Sequence, residues 1–381
     1  MKAAEYLRKL VAIPTPSARS NLPFIDWVAH QMRSRNWQVD LFPYTSESGA
    51  SKANLIARPA GGSLQDAIDL AFVCHTDTVP YATGWTAALD IQPSADGIFL
   101  HGCGACDAKG SLACFLAATE ALHPASVRPD VALILTADEE IGCKGMEHLL
   151  AHIHLRIRSA LVSEPTSLRP GTAGKGYGLA RVIINGVEAH SAYPREGVSA
   201  ISIAVNFIKR LEDHYRRMCA ETIPDPLFDP PHTTLNIGNI QGGAAKNIVA
   251  GLCAFLVEWR PIPGESPHNM MNKLEWLAGQ LHAEEPRAII RIEPLREERG
   301  FPPSGVGPLR QRIALASESS NRPQRQPIGV SFSSEATRIA KVAEEVLVIG
   351  PGDMRTAHSD RECVPVAELE EWTETLRILL L

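Results

Sequence analysis

Two rhythms of apolar and polar positions run through this chain. Residues 2–11 and 22–35 carry apolar side chains at helical spacing on either side of the turn-rich PTPSARSN, and residues 37–42, WQVDLF, alternate as a strand does. Further strands are expected over 54–58, 68–74 and 97–101, then a helix over 109–122 that begins just after Asp107. Residues 131–137, VALILTA, are apolar without a break and bounded by charge, as a strand covered on both faces would be. A helix over 144–152 and a strand over 159–163 follow. Strands alternating with helices predict an α/β fold with a largely parallel, helix-covered sheet.

After SEPTSLRPGTAGKG, dense in Pro and Gly, the pattern changes. Strands are expected over 177–187, within 232–259 and over 287–293, with helices over 199–217 and 266–282. That order, βαββαβ, predicts a small α+β unit inserted into the first domain. Residues 297–307 read as the return linker, and helix and strand then resume, with a strand over 345–349 that stops at Gly350-Pro-Gly. The expected boundaries are 1–174 and 296–381 for the outer domain and 175–295 for the insert.

Composition narrows the class without changing this outline. With 45% hydrophobic and 21% charged residues, the chain is expected to be a soluble globular protein. A net charge of −6 with no basic run argues against a nucleic-acid partner. Charges break up the apolar pattern of the first residues, and no stretch nears bilayer length, so no membrane association and a cytoplasmic home are expected. Eight cysteines in apolar or loop settings suit free thiols, and Cys103-Gly-Ala-Cys106, with no second pair, reads as a loop coincidence.

The chemistry is expected where apolar strands end. The run 70–74 stops at His75-Thr-Asp77, and residues two apart on a strand share a face, so one can bind a metal while the other supports it. Other segment ends offer Asp107, the neighbours Glu139 and Glu140, Glu164 and finally His358. If adjacent residues in extended chain point oppositely, one glutamate binds metal while the other faces its water. Taken singly, each acid is a helix cap or a loop residue, and His148, His152 and His154 read as a solvated helix face. Taken together, two histidines and three carboxylates suit zinc or a similar divalent ion. Five ligands exceed one tetrahedral site, and two ions sharing Asp107 would use all of them.

HTDTVP, the GxxxxDxKG segment, TADEEIG, SEPTSL and a late histidine together resemble the M20 family of co-catalytic metallopeptidases and deacylases, over essentially the whole chain. The resemblance implies a zinc-exopeptidase-like catalytic domain interrupted by a lid or dimerisation domain, and a homodimer built through that lid. It implies one or two Zn2+ per chain, replaceable by Co2+, with His75 and Glu164 on one ion, His358 and Glu140 on the other and Asp107 bridging. Asp77 would support His75, and Glu139 would be the general base. In the insert, Gly-Val-Glu-Ala-His190 matches the segment whose histidine steadies the oxyanion in the partner's site. Asn247 and Arg260 match substrate-carboxylate residues, against the plainer reading of Arg260 as an edge-strand ion pair.

Within the family, TLNIGNIQGG, VEWRPIPG, the SSEA around Glu335 and GPG followed by AH are similar to members that deacetylate N2-acetyl-L-ornithine in arginine biosynthesis. Members that remove succinyl from diaminopimelate carry Asp-Gly-Arg where Glu335-Ala336 stands. Glu335 is thereby expected to meet the side-chain amine of the substrate, with a helix-start role near Ser333-Ser334 as the alternative. N-acetyl-L-citrulline, N-succinyl-diaminopimelate, a dipeptide or a catalytically silent binding role are the competing readings. Two departures stand out, Ala108 within Asp-Ala-Lys-Gly and Ser163 before Glu164, and Cys103, Cys106 and Cys143 are expected near the metals.

Overall fold

The unbroken apolar run 131–136 forms a strand with every residue buried, and it lies near the middle of an eight-stranded sheet. The computed structural model describes all residues except Ala82, Ser304, Ser320, Asn321 and Pro323; Ser304 belongs to the expected return linker. The chain forms two compact units, residues 1–172, 304–328 and 334–381 in one, and 173–303 and 329–333 in the other.

The first unit begins with helices α1 (Ala3–Val11) and α2 (Leu22–Arg33), then strands β1 (Trp37–Thr45), β2 (Ser51–Pro59) and β3 (Ile68–His75). After β4 (Gln92–Pro93) and β5 (Phe99–His101) come α3 (Lys109–Ala121), β6 (Val131–Thr136), α4 (Lys144–His152), β7 (Ile157–Val162) and β8 (Gly171–Gly174). The second unit holds β9 (Tyr177–Asn185), α5 (Ala200–Glu221), β10 (Thr234–Gly242), β11 (Leu252–Arg260), α6 (His268–Glu284) and β12 (Ile289–Glu298). The chain closes with α7 (Pro308–Ser319), β13 (Ile328–Val330), α8 (Ala336–Ile339), β14 (Ala343–Val348), β15 (Cys363–Pro365) and α9 (Val366–Leu379).

The large sheet runs β1-β2-β6-β3-β7-β14-β8-β13. Its centre is parallel, β3 pairing with both β6 and β7 and β14 with β7, while β1, β2 and β8 join antiparallel. Leu70, Phe72, Leu133, Leu135, Leu161 and Leu347 face one side, where α1, α2, α3 and α9 cover them. Phe72 and Phe115 pack at 4.7 Å between ring centroids, and Trp37 meets Phe115 edge-on. Each such fully buried side chain is worth about 1.5–3 kcal/mol relative to exposure. Alternation sends Ala71, Val73, Ile134 and Val162, all buried, to the other face, where α4 and α8 lie.

The parallel register aligns the C-terminal ends of the central strands, His75 beside Thr136 and Val73 beside Val162. Beyond that edge β14 gives way to Gly350, where an added Cβ would lie 2.7 Å from the Glu164 carbonyl oxygen. Only glycine lets the two segments meet this closely.

The second unit follows the order βαββαβ as an antiparallel sheet, β10-β11-β9-β12. On β11 the buried residues alternate, Cys253, Phe255, Val257 and Trp259, and they face α5 and α6 through Phe207, Leu274 and Leu281. β12 runs to Glu298, further than the expected 287–293, with a register shift between Pro294 and Arg296 where proline has no N–H to give the ladder. β8 was not expected at all, because GTAG has no large apolar residue to mark it, though all four residues are buried. Among the described residues no helix is long and apolar enough to cross a membrane.

Candidate metal centre

β3 ends at His75, which is 2% exposed. Its Nδ1 lies 3.0 Å from the backbone carbonyl of Asp77. A carbonyl oxygen only accepts, so the ring proton sits on Nδ1 and Nε2 is left as a ligand atom. Nε2 stands 2.9 Å from Asp107 Oδ1, and His358 Nε2 stands 3.1 Å from Asp107 Oδ2 and 3.1 Å from Glu140 Oε2. A ring lone pair and a carboxylate oxygen at such distances repel unless a proton or a cation lies between them.

Two groups of atoms that could hold a metal ion result, His75, Asp107 and Glu164 in one, Asp107, Glu140 and His358 in the other, with the atoms of each group within 4.8 Å of one another. The titration tendencies agree. Burial would lower His75, yet Asp107 and Asp77 hold it well above its ordinary value, while Asp107 and Glu140 bring His358 to about 10. Burial raises Glu164, Glu140 and Glu139, and neighbouring carboxylates add to each rise. Negative charge is in excess here, and the imidazole and carboxylate donors fit divalent ions of the zinc type.

The origin of these side chains differs from the expectation in two respects. Asp107 leaves no strand of the main sheet: it lies in the turn between β5, part of a separate three-stranded sheet, and α3. Glu139 and Glu140 are not in extended chain either. β6 stops at Thr136, and Asp138 takes a left-handed φ of 57°, so a turn and not strand alternation presents the two glutamates. Asp77 holds that turn. Asp77, besides its carbonyl on His75, accepts the N–H groups of Glu139 and Glu140 at 3.0 and 3.3 Å and the Ser17 hydroxyl at 2.7 Å. Its carboxylate is 3.8 Å from His75 Nδ1, so it supports the glutamate turn more directly than the histidine.

Residues that sequence reasoning passed over complete the support. Lys52 pairs with Asp138, whose other oxygen accepts the Tyr44 hydroxyl at 2.8 Å. The Cys143 thiol lies 3.4 Å from Glu139 Oε1 and donates to it. Cys106 lies against Thr356, 3.8 Å from sulfur to oxygen, and all eight cysteines are free thiols. His148 is not merely solvated: its ring stacks on Tyr44 at 4.6 Å and on His152 at 4.1 Å. Glu335 is 1% exposed, accepts the Thr136 hydroxyl on one oxygen and leaves the other without a hydrogen bond; burial, only partly offset, raises it to about 7. The Ser334 hydroxyl accepts the Ala336 N–H at 3.3 Å, so the helix start there uses serine.

In the second unit His190 and Asn247 come together. Residues 190 and 248 form a bridge, and the Ser191 N–H donates to the Asn247 carbonyl at 3.0 Å. His190 is exposed and its Nδ1 accepts the Ala192 N–H, which leaves the proton on Nε2. Arg260 ends β11, where its Nε donates to Glu258 at 2.8 Å and its guanidinium lies 5.2 Å over the Tyr177 ring.

The description "Peptidase family M20/M25/M40" matches residues 71–381. An acetylornithine deacetylase of Myxococcus xanthus is 41% identical over 95% of this chain and 92% of its own length. A tripeptidase from Staphylococcus aureus has the same fold, with a TM-score of 0.80 at 20% identity over 100% of this chain and 97% of that one. A dinuclear metal binding peptidase of the M20 family from Bacillus subtilis aligns with a TM-score of 0.64 at 15% identity, again over 100% and 97%.

Proposed function

The chain belongs to peptidase family M20/M25/M40, and from that premise we propose that it is a metal-dependent amide hydrolase that converts N2-acetyl-L-ornithine and water into L-ornithine and acetate. The observation that carries the reading is the placement of Asp107, one oxygen toward His75 and the other toward His358, with Glu139 in the adjoining turn. His75 and Glu164 would hold one zinc ion, His358 and Glu140 a second, and Asp107 both. Bound there, such ions polarise an acyl carbonyl and bring the pKa of a coordinated water toward neutrality.

Glu139 takes a proton as the water oxygen attacks the acetyl carbon. When the C–N bond breaks, Glu139 returns that proton to the leaving amine. Burial raises the Glu139 carboxyl, which suits a group that must accept and then release a proton near neutral pH. His190, with its exposed Nε2–H, is assigned to the developing oxyanion, in a homodimer whose partner subunit would receive it. Arg260 and Asn247 are assigned to the α-carboxylate of the substrate. The reading places the enzyme in the cytoplasm, in arginine biosynthesis.

Glu335 is assigned to the side-chain amine of ornithine, which its unpaired oxygen would accept. Its 1% exposure and its bond to Thr136 favour a second reading, in which it steadies the end of β6. Rates of Glu335→Gln on N-acetylornithine and on an acylated amino acid with an apolar side chain separate the two: loss confined to the ornithine substrate supports contact, and equal loss supports the structural role.

Release of the free amine from N-acetyl-L-ornithine, beside N-acetyl-L-citrulline, N-succinyl-diaminopimelate and a dipeptide, on metal-free protein with and without zinc or cobalt, tests the whole reading. Metal-dependent turnover greatest on acetylornithine is expected. Preference for another substrate would move the assignment within the family, and no turnover with metal bound would favour a silent binding protein.

A further inference from the structure

Glu362 has no part in the chemistry above, yet the residue is 2% exposed and its carboxylate accepts three backbone N–H groups from the loop that carries Asp107. Oε1 takes those of Cys106 at 3.1 Å and Asp107 at 3.2 Å, and Oε2 takes that of Gly104 at 3.0 Å. The carbonyl of Glu362 accepts a fourth, from Gly102, at 3.3 Å. Glu362 stands four residues after His358, its N–H donates to Ser359 at 3.1 Å, and β15 starts at the next residue and pairs with β5. One side chain thus clasps the loop of one ligand from the segment of another.

The remaining ligands have other anchors. His75 ends β3 and Glu164 comes just after β7, both in the middle of the sheet, and Asp77 holds the turn of Glu140. Asp107 and His358 come from irregular segments, and His358 is the most exposed ligand, 49% on its side chain. A carboxylate surrounded by converging backbone N–H groups is a strong, directional anchor, and burying it without them would be costly.

We propose that Glu362 is a positioning residue that fixes the Asp107 loop against the His358 segment, so that both oxygens of Asp107 meet a histidine at once. The inference rests on the two-ion reading above. Its consequence is selective: loss of the clasp weakens the group of Asp107, Glu140 and His358 more than the group built on β3 and β7.

The test is a titration of metal-free protein with Co2+, followed by calorimetry and by the visible absorption of the bound ion. The wild-type chain is expected to bind two equivalents; a single equivalent would overturn the two-ion reading and the inference with it. Glu362→Gln keeps the volume but turns an N–H2 toward a backbone donor. It is expected to bind the first equivalent with near wild-type affinity and spectrum, and the second about 10–100-fold more weakly. Two equivalents bound as in the wild type, or equal weakening of both, would overturn the positioning role. Circular dichroism and a thermal melt establish that the variant is folded. Should it not fold, Glu362→Asp, which keeps the charge with a shorter reach, is read in the same titration against the same outcomes.

Discussion

Lys52 Nζ lies 2.8 Å from Asp138 Oδ1, with both side chains at most 1% exposed, one residue ahead of Glu139. The lysine also donates to the Ser17 carbonyl at 2.8 Å, so it joins the turn after β6 to the segment that leads into α2. Lys52→Met removes the cation and leaves Asp138 buried and uncompensated. Urea denaturation at pH 7 is expected to register a loss of about 3–5 kcal/mol. A loss below about 1 kcal/mol would mean that Tyr44 alone satisfies Asp138.

Glu139→Gln keeps the size of the side chain and removes its capacity to take a proton. Turnover is expected to fall by about 10²–10⁴-fold while the bound metal per chain is unchanged, since neither ligand group includes Glu139. Metal analysis beside steady-state rates checks both halves, and near-normal turnover would remove Glu139 from the mechanism.

Arg260→Ala is expected to raise KM by about 10–100-fold with a smaller change in kcat, as loss of one charge-assisted contact to a substrate carboxylate would. The competing partner is already present, since Glu258 takes the Arg260 Nε in the free chain. If the arginine serves only Glu258, the variant keeps its KM and loses stability instead.

Asp69 makes stability fall in acid. Burial works against its charge, but Arg128 and Arg312 hold the carboxyl down from its ordinary 3.8 to about 2, with Arg158 also in reach at 3.2 Å. A folded-state pKa below the unfolded one gives a stabilisation that is complete above pH 4 and lost as pH falls through 2. Unfolding free energies from urea titration of the wild type and Asp69→Asn are expected to differ by up to about 2 kcal/mol at pH 5 and to converge near pH 2. Curves that stay parallel over that range would remove Asp69 from the acid response.

Legibility of the fold in the sequence followed the size of the side chains. β6 was readable as a run of bulky apolar residues and α4 because Met146 and Leu149 recur at helical spacing, whereas β8 is built of Gly, Thr and Ala and left no period to read. The candidate ligands were readable because His and acids interrupt apolar runs. Their supports were not: Lys52 sits in SKANLIARP as a plausible solvent-facing residue, and nothing local shows that it is 1% exposed. The two glutamates were expected to diverge by strand alternation, but the positive φ of Asp138 had already ended the strand. Glu362 ends the charged run Asp360-Arg361-Glu362, and its partners lie more than 250 positions earlier in the chain.

The proposed ligands also arrive in a fixed order as the chain is made. His75, Asp107 and Glu164 are all present before β9 begins, whereas His358 follows the whole inserted unit. The strand that precedes it, β14, must then enter beside β7 as a parallel neighbour, a pairing between segments distant in sequence and therefore slow to form. A nascent chain stalled inside the insert would already own one complete set of the proposed ion ligands but not the other. The second set closes only when the C-terminal segment docks, so its completion reports that the first unit has finished folding.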